Sequence, residues 1–273
     1  MPGHLITLLT DFGHADAYVG VMKGVILGID PSATVVDLTH DVPPQDILQG
    51  AFLLGTAWQA FPAGTIHVAV VDPGVGTDRR ALLVQGGGHT FLAPDNGLLS
   101  FVLPGDGGKG DPFQPYTGPV PEGYTAHSLT NQRYWRHPVS TTFHGRDIFA
   151  PVAAHLSTGA PADDFGEGVS TLVRLAVTEP RWDREELAGL VMHIDRFGNV
   201  VTNIPEALTK GGQVLTMELG GRTLQGLATT YGTGTGLVAI IGSGGTVEVA
   251  IRDGSAAEVL GVKVGDEVRI RRG

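Results

Sequence analysis

Short apolar runs alternate with helix-like spacing through the first half of the chain. Runs rich in β-branched residues, which are typical of buried strands, lie at residues 5–9, 35–38, 66–71 and 81–84. Between the first three runs, apolar side chains recur on one helical face over residues 18–29 and 46–61. This alternation predicts a mostly parallel sheet with flanking helices.

Two further segments complete the picture of the first half. A helix is expected over residues 147–156, because Gly159 and Pro161 close that stretch. Residues 105–124 are rich in Gly and Pro and lack periodicity, so we expect a surface loop there.

The last third of the chain has a different pattern, with short strands and glycine-rich turns. Strands are predicted at residues 190–194, 214–219, 237–241, 247–251 and 267–270. This pattern indicates a smaller all-β domain, a barrel or a sandwich. Regular patterning stops near residue 178, so we expect an N-terminal α/β domain at 1–175, a linker at 176–188 and a C-terminal β domain at 189–273.

Composition narrows the classes of protein. The 273 residues are 42% hydrophobic and 17% charged, which fits a packed core rather than disorder. No apolar stretch approaches the roughly 20 residues of a membrane helix, and the run at 5–9 has no basic region before it, so we expect neither a membrane partner nor a signal peptide. The chain has no cysteine, which excludes disulfides and fits a cytoplasmic location. A net charge of −10 argues against nucleic acid as a partner.

Carboxylates follow three predicted strands, at Asp11, Asp41 and Asp72. Ligands of open α/β sheets bind beyond the carboxyl ends of the strands, so these residues predict a polar site at one edge. The alternative is that each aspartate caps a turn or a helix. Arg79 follows Asp72 by seven residues across a glycine-rich loop, where it would hold the carboxylate ionised or form an ordinary structural ion pair.

Other polar residues stand at predicted turns. Asn96 would offer an amide to a ribose or a base, or would simply form a turn. His144 precedes a predicted helix start, which favours a neutral imidazole, unless it is only an exposed loop residue. In the second half, turn chemistry alone would also explain Asp195, Phe197 and Asn199, as well as Ser243 in a predicted hairpin turn with Glu248 beyond it. The histidines form no recognisable metal-binding pattern, so no metal is expected.

These segments together resemble the S-adenosylmethionine (SAM) hydroxide adenosyltransferase family, which is related to the SAM-dependent fluorinase and chlorinase. The stretches that carry the resemblance occur in family order and are LLTDFG at 8–13, VDLTH at 36–40, VDPGVGT at 71–77, APDNG at 93–97, FHGRD at 143–147, IDRFGN at 194–199 and residues 243–256. Each motif alone is weak, whereas the ordered set is specific. One departure is Gly242, where an asparagine is expected before Ser243.

The resemblance implies an enzyme that uses water to split SAM into adenosine and methionine, without a cofactor, as a homotrimer with active sites at subunit interfaces. It implies a catalytic set of Asp72, Arg79 and His144. The implied substrate-binding residues are Asp11 at the ribose, Asp16 and Asp195 near the methionine end, Phe197 and Asn199 near adenine, and Asn96, Phe143, Ser243 and Glu248.

The same resemblance distinguishes hydrolysis from halogenation. The halogenases carry Tyr where this chain has Asp72, and the fluoride-contacting serine corresponds to Gly145. A carboxylate beside the nucleophile would repel a halide and would orient or deprotonate water. Halide-dependent adenosyl transfer and a non-catalytic SAM or adenosine sensor are the alternatives.

Overall fold

The chain folds as two units, Met1–Ala176 and Val177–Gly273. The computed structural model describes residues 5–105, 110–210, 215–232 and 236–272. Within these residues no helix combines the length and the apolar character that crossing a membrane requires.

A six-stranded sheet organises the first unit. The strands of this unit are β1 (Leu5–Thr10), β2 (Thr34–Thr39), β3 (Ile66–Val70), β4 (Ala81–Gly86), β5 (His89–Pro94), β6 (Pro115–Pro119), β7 (Thr125–Ser128) and β8 (Thr171–Leu175). The sheet order is β2-β1-β3-β5-β4-β7. The strands β2, β1, β3 and β5 are parallel, whereas β4 and β7 add in antiparallel fashion. The predicted mostly parallel sheet is therefore confirmed.

Helices cover both faces of this sheet. They are α1 (Tyr18–Ile29), α2 (Ile47–Ala57) and α3 (Ala150–Ser157). Alternate residues of β1 face opposite ways: Ile6 and Leu8 join the core beneath α1 and α3, whereas Leu9 joins the core beneath α2. This packing leaves the carboxyl ends of the parallel strands as the edge at which loops can build a site.

The helix boundaries differ slightly from the expected ones. The Asp46 side chain accepts a hydrogen bond from Gln49 N at 3.0 Å and caps α2, which ends at Ala57 before a short 3₁₀ turn at Trp58–Ala60. A π-helical turn at Gly145–Phe149 leads directly into α3. Asp147 thus lies inside this turn and caps nothing.

The segment expected to be a loop at residues 105–124 contains a strand. Residues 106–109 lie outside the described part of the chain, but β6 pairs with β8 as a two-stranded ribbon. Two prolines and a glycine in β6 hid its pairing from the sequence pattern.

The second unit is an antiparallel sheet that curves toward a barrel. Its strands are β9 (Arg181–Asp183), β10 (Glu186–Ile194), β11 (Val200–Pro205), β12 (Leu215–Leu219), β13 (Arg222–Gln225), β14 (Leu237–Ile241), β15 (Thr246–Ile251) and β16 (Glu267–Arg272), with one short helix, α4 (Ala256–Leu260). The order is β13-β12-β16-β10-β11-β15-β14, with β9 beside β10. The predicted all-β pattern is confirmed, although β9 and the start of β10 occupy part of the expected linker at 176–188. The strand expected from residue 214 begins within the described residues at Leu215.

Candidate active site

A cavity of about 390 Å³ opens in the first unit at the carboxyl ends of β1 and β3. Its walls come from these strand ends and from the loop before α3. The lining residues are Asp11, Phe12, Tyr18, Pro44, Gln45, Val70, Asp72, Pro73, Val75, Thr142, Phe143, His144 and Gly145. Two of the three strand-end aspartates, Asp11 and Asp72, therefore face one cavity. Asp41 is exposed and does not line it.

Asp72, Arg79 and His144 form one hydrogen-bonded set. Arg79 Nε donates to both Asp72 carboxylate oxygens, at 2.9 and 3.0 Å, and Arg79 Nη2 also bonds Asp72 Oδ2. The same Nη2 lies 2.7 Å from His144 Nδ1. The Asp72 side chain is 5% exposed and the Arg79 side chain 11%. Asp72 and His144 line the cavity, and Arg79 joins them from behind.

The guanidinium fixes the protonation of the imidazole. Guanidinium nitrogens only donate hydrogen bonds, so His144 Nδ1 must accept and the ring proton must sit on Nε2. Burial lowers the pKa of His144, and the positive charge of Arg79 lowers it further, against the opposing effects of Asp72 and Asp147. His144 is therefore a neutral imidazole whose N–H is on Nε2.

The loop between Asp72 and Arg79 is tightly folded against the chain that carries His144. Gly76 has a φ of +78°, and a Cβ at this position would collide with the carbonyl oxygen of Thr141. Thr77 Oγ1 donates to Gly74 O at 2.7 Å inside the loop. Glycine at position 76 thus allows the loop between Asp72 and Arg79 to meet the segment that carries His144.

Asp11 is oriented by a backbone group across the cavity. Gln45 N donates to Asp11 Oδ2 at 2.7 Å. To do so, Gln45 adopts a φ of +65°, a conformation that residues other than glycine rarely take. Such strain concentrates at functional sites. The sequence could not indicate the role of Gln45, because every non-proline residue carries a backbone N–H.

Three aromatic rings form one wall of the cavity. Phe143 meets Phe12 and Tyr18 edge-on, with ring centroids 5.8 and 5.1 Å apart. Arg146 lies over the Phe143 ring at 5.2 Å and donates to Asp147 Oδ1 at 2.7 Å. The aromatic wall (Phe12, Tyr18 and Phe143) is rich in π-electron density, which attracts cations. Of the three, the sequence singled out only Phe143.

Asp147 supports the aromatic wall through Arg146. Its side chain is fully buried and also accepts from Ser140 N at 2.8 Å and from Arg136 Nη1 at 3.3 Å. Burial alone would raise the pKa of Asp147, but the hydrogen bonds from Arg146 and Ser140 lower it overall. Asp147 therefore ties both ends of the segment 136–147 together.

Asn96 and Asp16 lie away from the cavity lining. Asn96 Nδ2 donates to Val71 O at 2.9 Å and its Oδ1 accepts from Leu98 N at 3.1 Å. The amide thus secures the end of β3 next to Asp72. Asp16 is exposed in the segment that leads into α1.

The second unit has its own pocket, of about 660 Å³. Its lining residues are Asp195, Phe197, Asn199, Tyr231, Ile251, Arg252, Asp253 and Gly254. Asp195 Oδ1 accepts from the backbone N of Phe197 and Asn199, at 2.9 and 2.8 Å, and its Oδ2 accepts from Asn199 Nδ2 at 2.9 Å. This turn leaves the Phe197 side chain 77% exposed. Its apolar ring is thus presented by a turn that the Asp195 carboxylate stabilises.

Glu248 stands behind this pocket. It is 8% exposed, and the Tyr231 hydroxyl donates to its Oε1 at 2.8 Å. This hydrogen bond, with burial, raises the pKa of Tyr231 to about 12. Glu248 thus orients Tyr231, a ring that the sequence did not single out. Ser243 is exposed in the hairpin turn, where Gly242 leaves space for the Glu248 carboxylate.

Comparison with known proteins identifies the family. The model of the SAM hydroxide adenosyltransferase N-terminal domain matches residues 6–166, and that of the C-terminal domain matches residues 189–269. The chain belongs to the SAM hydroxide adenosyltransferase family.

Individual proteins agree with this membership along the whole chain. The proteins named (R)-S-adenosyl-L-methionine hydrolase from Salinispora tropica and Thermus thermophilus are 39% and 41% identical, over 100% and 97% of this chain and 99% and 98% of their own. The crystal structure of an uncharacterized conserved protein from Thermotoga maritima, 36% identical, superposes with a TM-score of 0.85 over 98% of this chain and 100% of that one.

The described residues contain no group of three or more His, Asp or Glu side chains placed to hold a metal ion. The chemistry that the cavity offers within those residues is that of a carboxylate, a guanidinium and a neutral imidazole.

Proposed function

We propose that this protein hydrolyses SAM to adenosine and methionine. The observation that carries the proposal is the Asp72–Arg79–His144 set at the wall of the cavity, on a chain whose full-length relatives are named SAM hydrolases. Because those names specify the (R) form, we propose the (R)-sulfonium as the preferred substrate.

The reaction is an in-line displacement at C5′ of the adenosyl group. A lone pair of the water oxygen forms the new O–C5′ bond while the C5′–S bond breaks. The bonding pair goes to sulfur, so methionine leaves as a neutral thioether. The attacking oxygen loses one proton to a base and then to solvent. Because the sulfonium is already a good leaving group, the proposal includes no metal, no cofactor and no general acid.

The protonation pattern divides the roles within the set. Asp72 is the acceptor for the water and takes its proton, because the His144 tautomer has no free acceptor nitrogen. His144 donates from Nε2 to the water oxygen and orients its lone pair toward C5′. Arg79 holds both partners and stabilises charge on the oxygen. Orientation of this kind contributes about 7–11 kcal/mol in favourable intramolecular reactions.

Most of the remaining residues bind the substrate. Asp11 holds the ribose hydroxyls, and the aromatic wall accommodates the sulfonium by cation–π attraction. In the second unit, Phe197 and Asn199 bind the adenine, and Ser243 contacts the ligand from the hairpin turn. Asp16 and Asp195 serve the amino-acid end. Asn96 and Glu248 act through the segments that they hold.

The direct test is chromatography of the protein incubated with SAM. Adenosine and methionine should accumulate in equal amounts, and D72N should abolish product while adenosine binding stays measurable. Unchanged turnover by D72N would remove Asp72 from the mechanism. Incubation with chloride should give no 5′-chloro-5′-deoxyadenosine, and binding without product over hours would indicate a sensor instead.

The proposal extends to assembly and location. The family resemblance supports a homotrimer and the composition supports a cytoplasmic location. Light scattering of the purified protein and cell fractionation test these two points.

A further inference from the structure

The loop that carries Asp11 is held by a histidine outside the cavity lining. His40 follows β2 and is 1% exposed. Its Nδ1 lies 2.8 Å from the hydroxyl of Thr10, the last residue of β1. The backbone oxygen of His40 accepts from Gly13 N at 2.8 Å. One residue therefore contacts the segment 10–13 on both sides of Asp11.

Charged residues next to His40 determine which ring nitrogen donates and which accepts. Its Nε2 lies 2.9 Å from Asp37 Oδ1, in a close polar contact that lacks regular hydrogen-bond geometry. Lys23 donates to the other Asp37 oxygen at 2.6 Å. A carboxylate only accepts hydrogen bonds, so the His40 tautomer that suits this contact carries its proton on Nε2. Its Nδ1 then accepts from the Thr10 hydroxyl.

The chain of hydrogen bonds ends at the backbone of the cavity. The Thr10 hydroxyl, which donates to His40, accepts from Phe12 N at 3.2 Å. The Thr10 side chain before Asp11 and the amides of Phe12 and Gly13 after it are thus held before any ligand arrives, and Gln45 N holds the Asp11 carboxylate itself at 2.7 Å. Fixing a binding group in advance avoids the cost of ordering it on binding.

We propose that His40 is a positioning residue for Asp11, supported by Asp37 and Lys23, and that it sets the selectivity of the site for a ribose with free hydroxyls. This inference rests on the proposed function, in which Asp11 binds those hydroxyls. His40 acts through Thr10 and the backbone of residues 10–13 and contacts no reacting atom.

The same strand supplies a matched control. Thr7 Oγ1 lies 2.7 Å from His67 Nδ1, and both residues are fully buried. Thr10 and Thr7 thus form the same kind of buried Thr–His pair, on one strand, but only Thr10 adjoins the Asp11 loop. Thr10→Val and Thr7→Val remove the same hydroxyl and should lower the thermal midpoint by similar amounts.

The experiment measures binding of adenosine and of 2′,3′-dideoxyadenosine by calorimetry. We expect the wild type and T7V to prefer adenosine, and T10V to lose about tenfold of that preference, the order of one hydrogen bond. Equal preference in T10V and T7V would overturn the inference, as would a wild type that does not discriminate. Adenosine production from SAM by the wild type is measured separately, so failure of the proposed function is recognised on its own.

Conservative variants separate positioning from packing. His40→Asn places an amide oxygen near the Nδ1 position, where it accepts from Thr10, and should keep most of the preference. His40→Gln moves the amide toward Asp37 and should lose it. If T10V does not fold, Asp37→Asn at a partly exposed site should still reduce the preference, whereas Thr10→Ser should retain it. An Asp37→Asn protein with unchanged preference would contradict the role of the charged support.

Discussion

Arg79 Nη2 lies 2.7 Å from His144 Nδ1 while the same guanidinium binds both oxygens of Asp72. A donor-only group placed between a carboxylate and an imidazole assigns the acceptor role to each of them. In the proposed mechanism the carboxylate is therefore the base, and the imidazole, whose Nδ1 accepts from Arg79, donates from Nε2.

The pH dependence of turnover follows from this arrangement. Burial and the charge of Arg79 lower the pKa of His144, so the neutral ring persists at pH values below its ordinary 6.5. We expect kcat/KM to stay level down to pH 6.5 and to fall only in more acidic solution. A profile of kcat/KM measured over pH 4–8 tests this. In H144N the decrease in acid that is due to protonation of this ring should be absent. An acid limb above pH 6.5 would contradict the neutral tautomer.

Gly76 allows the Asp72 loop to approach the His144 segment. Gly76→Ala introduces a side chain at positive φ and against Thr141 O. We expect a loss of stability of at least about 1–2 kcal/mol and a larger relative loss of kcat than of adenosine affinity, because the two catalytic segments separate. Gly64→Ala is the control, since Gly64 also has positive φ but has open space. If both variants lowered kcat equally, backbone strain alone would explain the loss, and the role of the close approach to Thr141 would be contradicted.

Gly145 limits the volume near the aromatic wall. A Cβ here would lie 3.1 Å from Met22 Sδ and 3.3 Å from Phe143 Cε2. Gly145→Ser should displace the Phe143 ring and lower kcat/KM by about tenfold or more, as overpacking costs about 1–3 kcal/mol. Steady-state kinetics with SAM measure the effect. Chloride or fluoride added to G145S should yield no 5′-halogenated product while Asp72 is present, and such a product would reopen the halide alternative.

A buried histidine pair makes stability depend on pH. His67 Nε2 lies 3.1 Å from His89 Nδ1, and burial, with His89, lowers the pKa of His67 to about 4. The unfolded chain takes up a proton near pH 6.5, and the folded one only near 4. The free energy of unfolding is therefore highest above pH 6.5. It falls as the pH decreases toward 4, by roughly 3 kcal/mol for this ring.

Urea unfolding at pH 7 and pH 5 measures this loss. The double variant T7V/H67F removes the titrating ring and its hydroxyl partner together. It should lose less stability than the wild type between the two pH values. An equal loss would assign the pH dependence to other groups.

The sequence predicted the parts of the molecule in which short-range pattern and chemistry coincide. Asp72, Arg79 and His144 stand beside predicted strand and helix ends, and the structure joins them. Gln45 was not predicted, because it contributes a backbone N–H and an unusual φ. Tyr231 was missed since no periodic pattern surrounds it. The strand β6 depends on a partner, β8, more than 50 residues later, and such pairing leaves no local signal.

Asn96 was predicted to contact a ligand, and this prediction shows a second limit of sequence analysis. An amide after a strand suits a ligand contact and a structural tie equally well, and the structure shows its amide bound to Val71 O and Leu98 N. Only the three-dimensional neighbours distinguish the two uses.

The ring contacts among Phe12, Tyr18 and Phe143 bear on product release in the proposed reaction. Cleavage at C5′ turns one cation into two molecules with no charge at the reacting centre. Rings that attract a sulfonium have no comparable attraction for a thioether or a primary alcohol. In the proposed reaction the cation–π part of substrate binding is therefore lost on cleavage, and we expect this wall to hold adenosine and methionine less tightly than SAM.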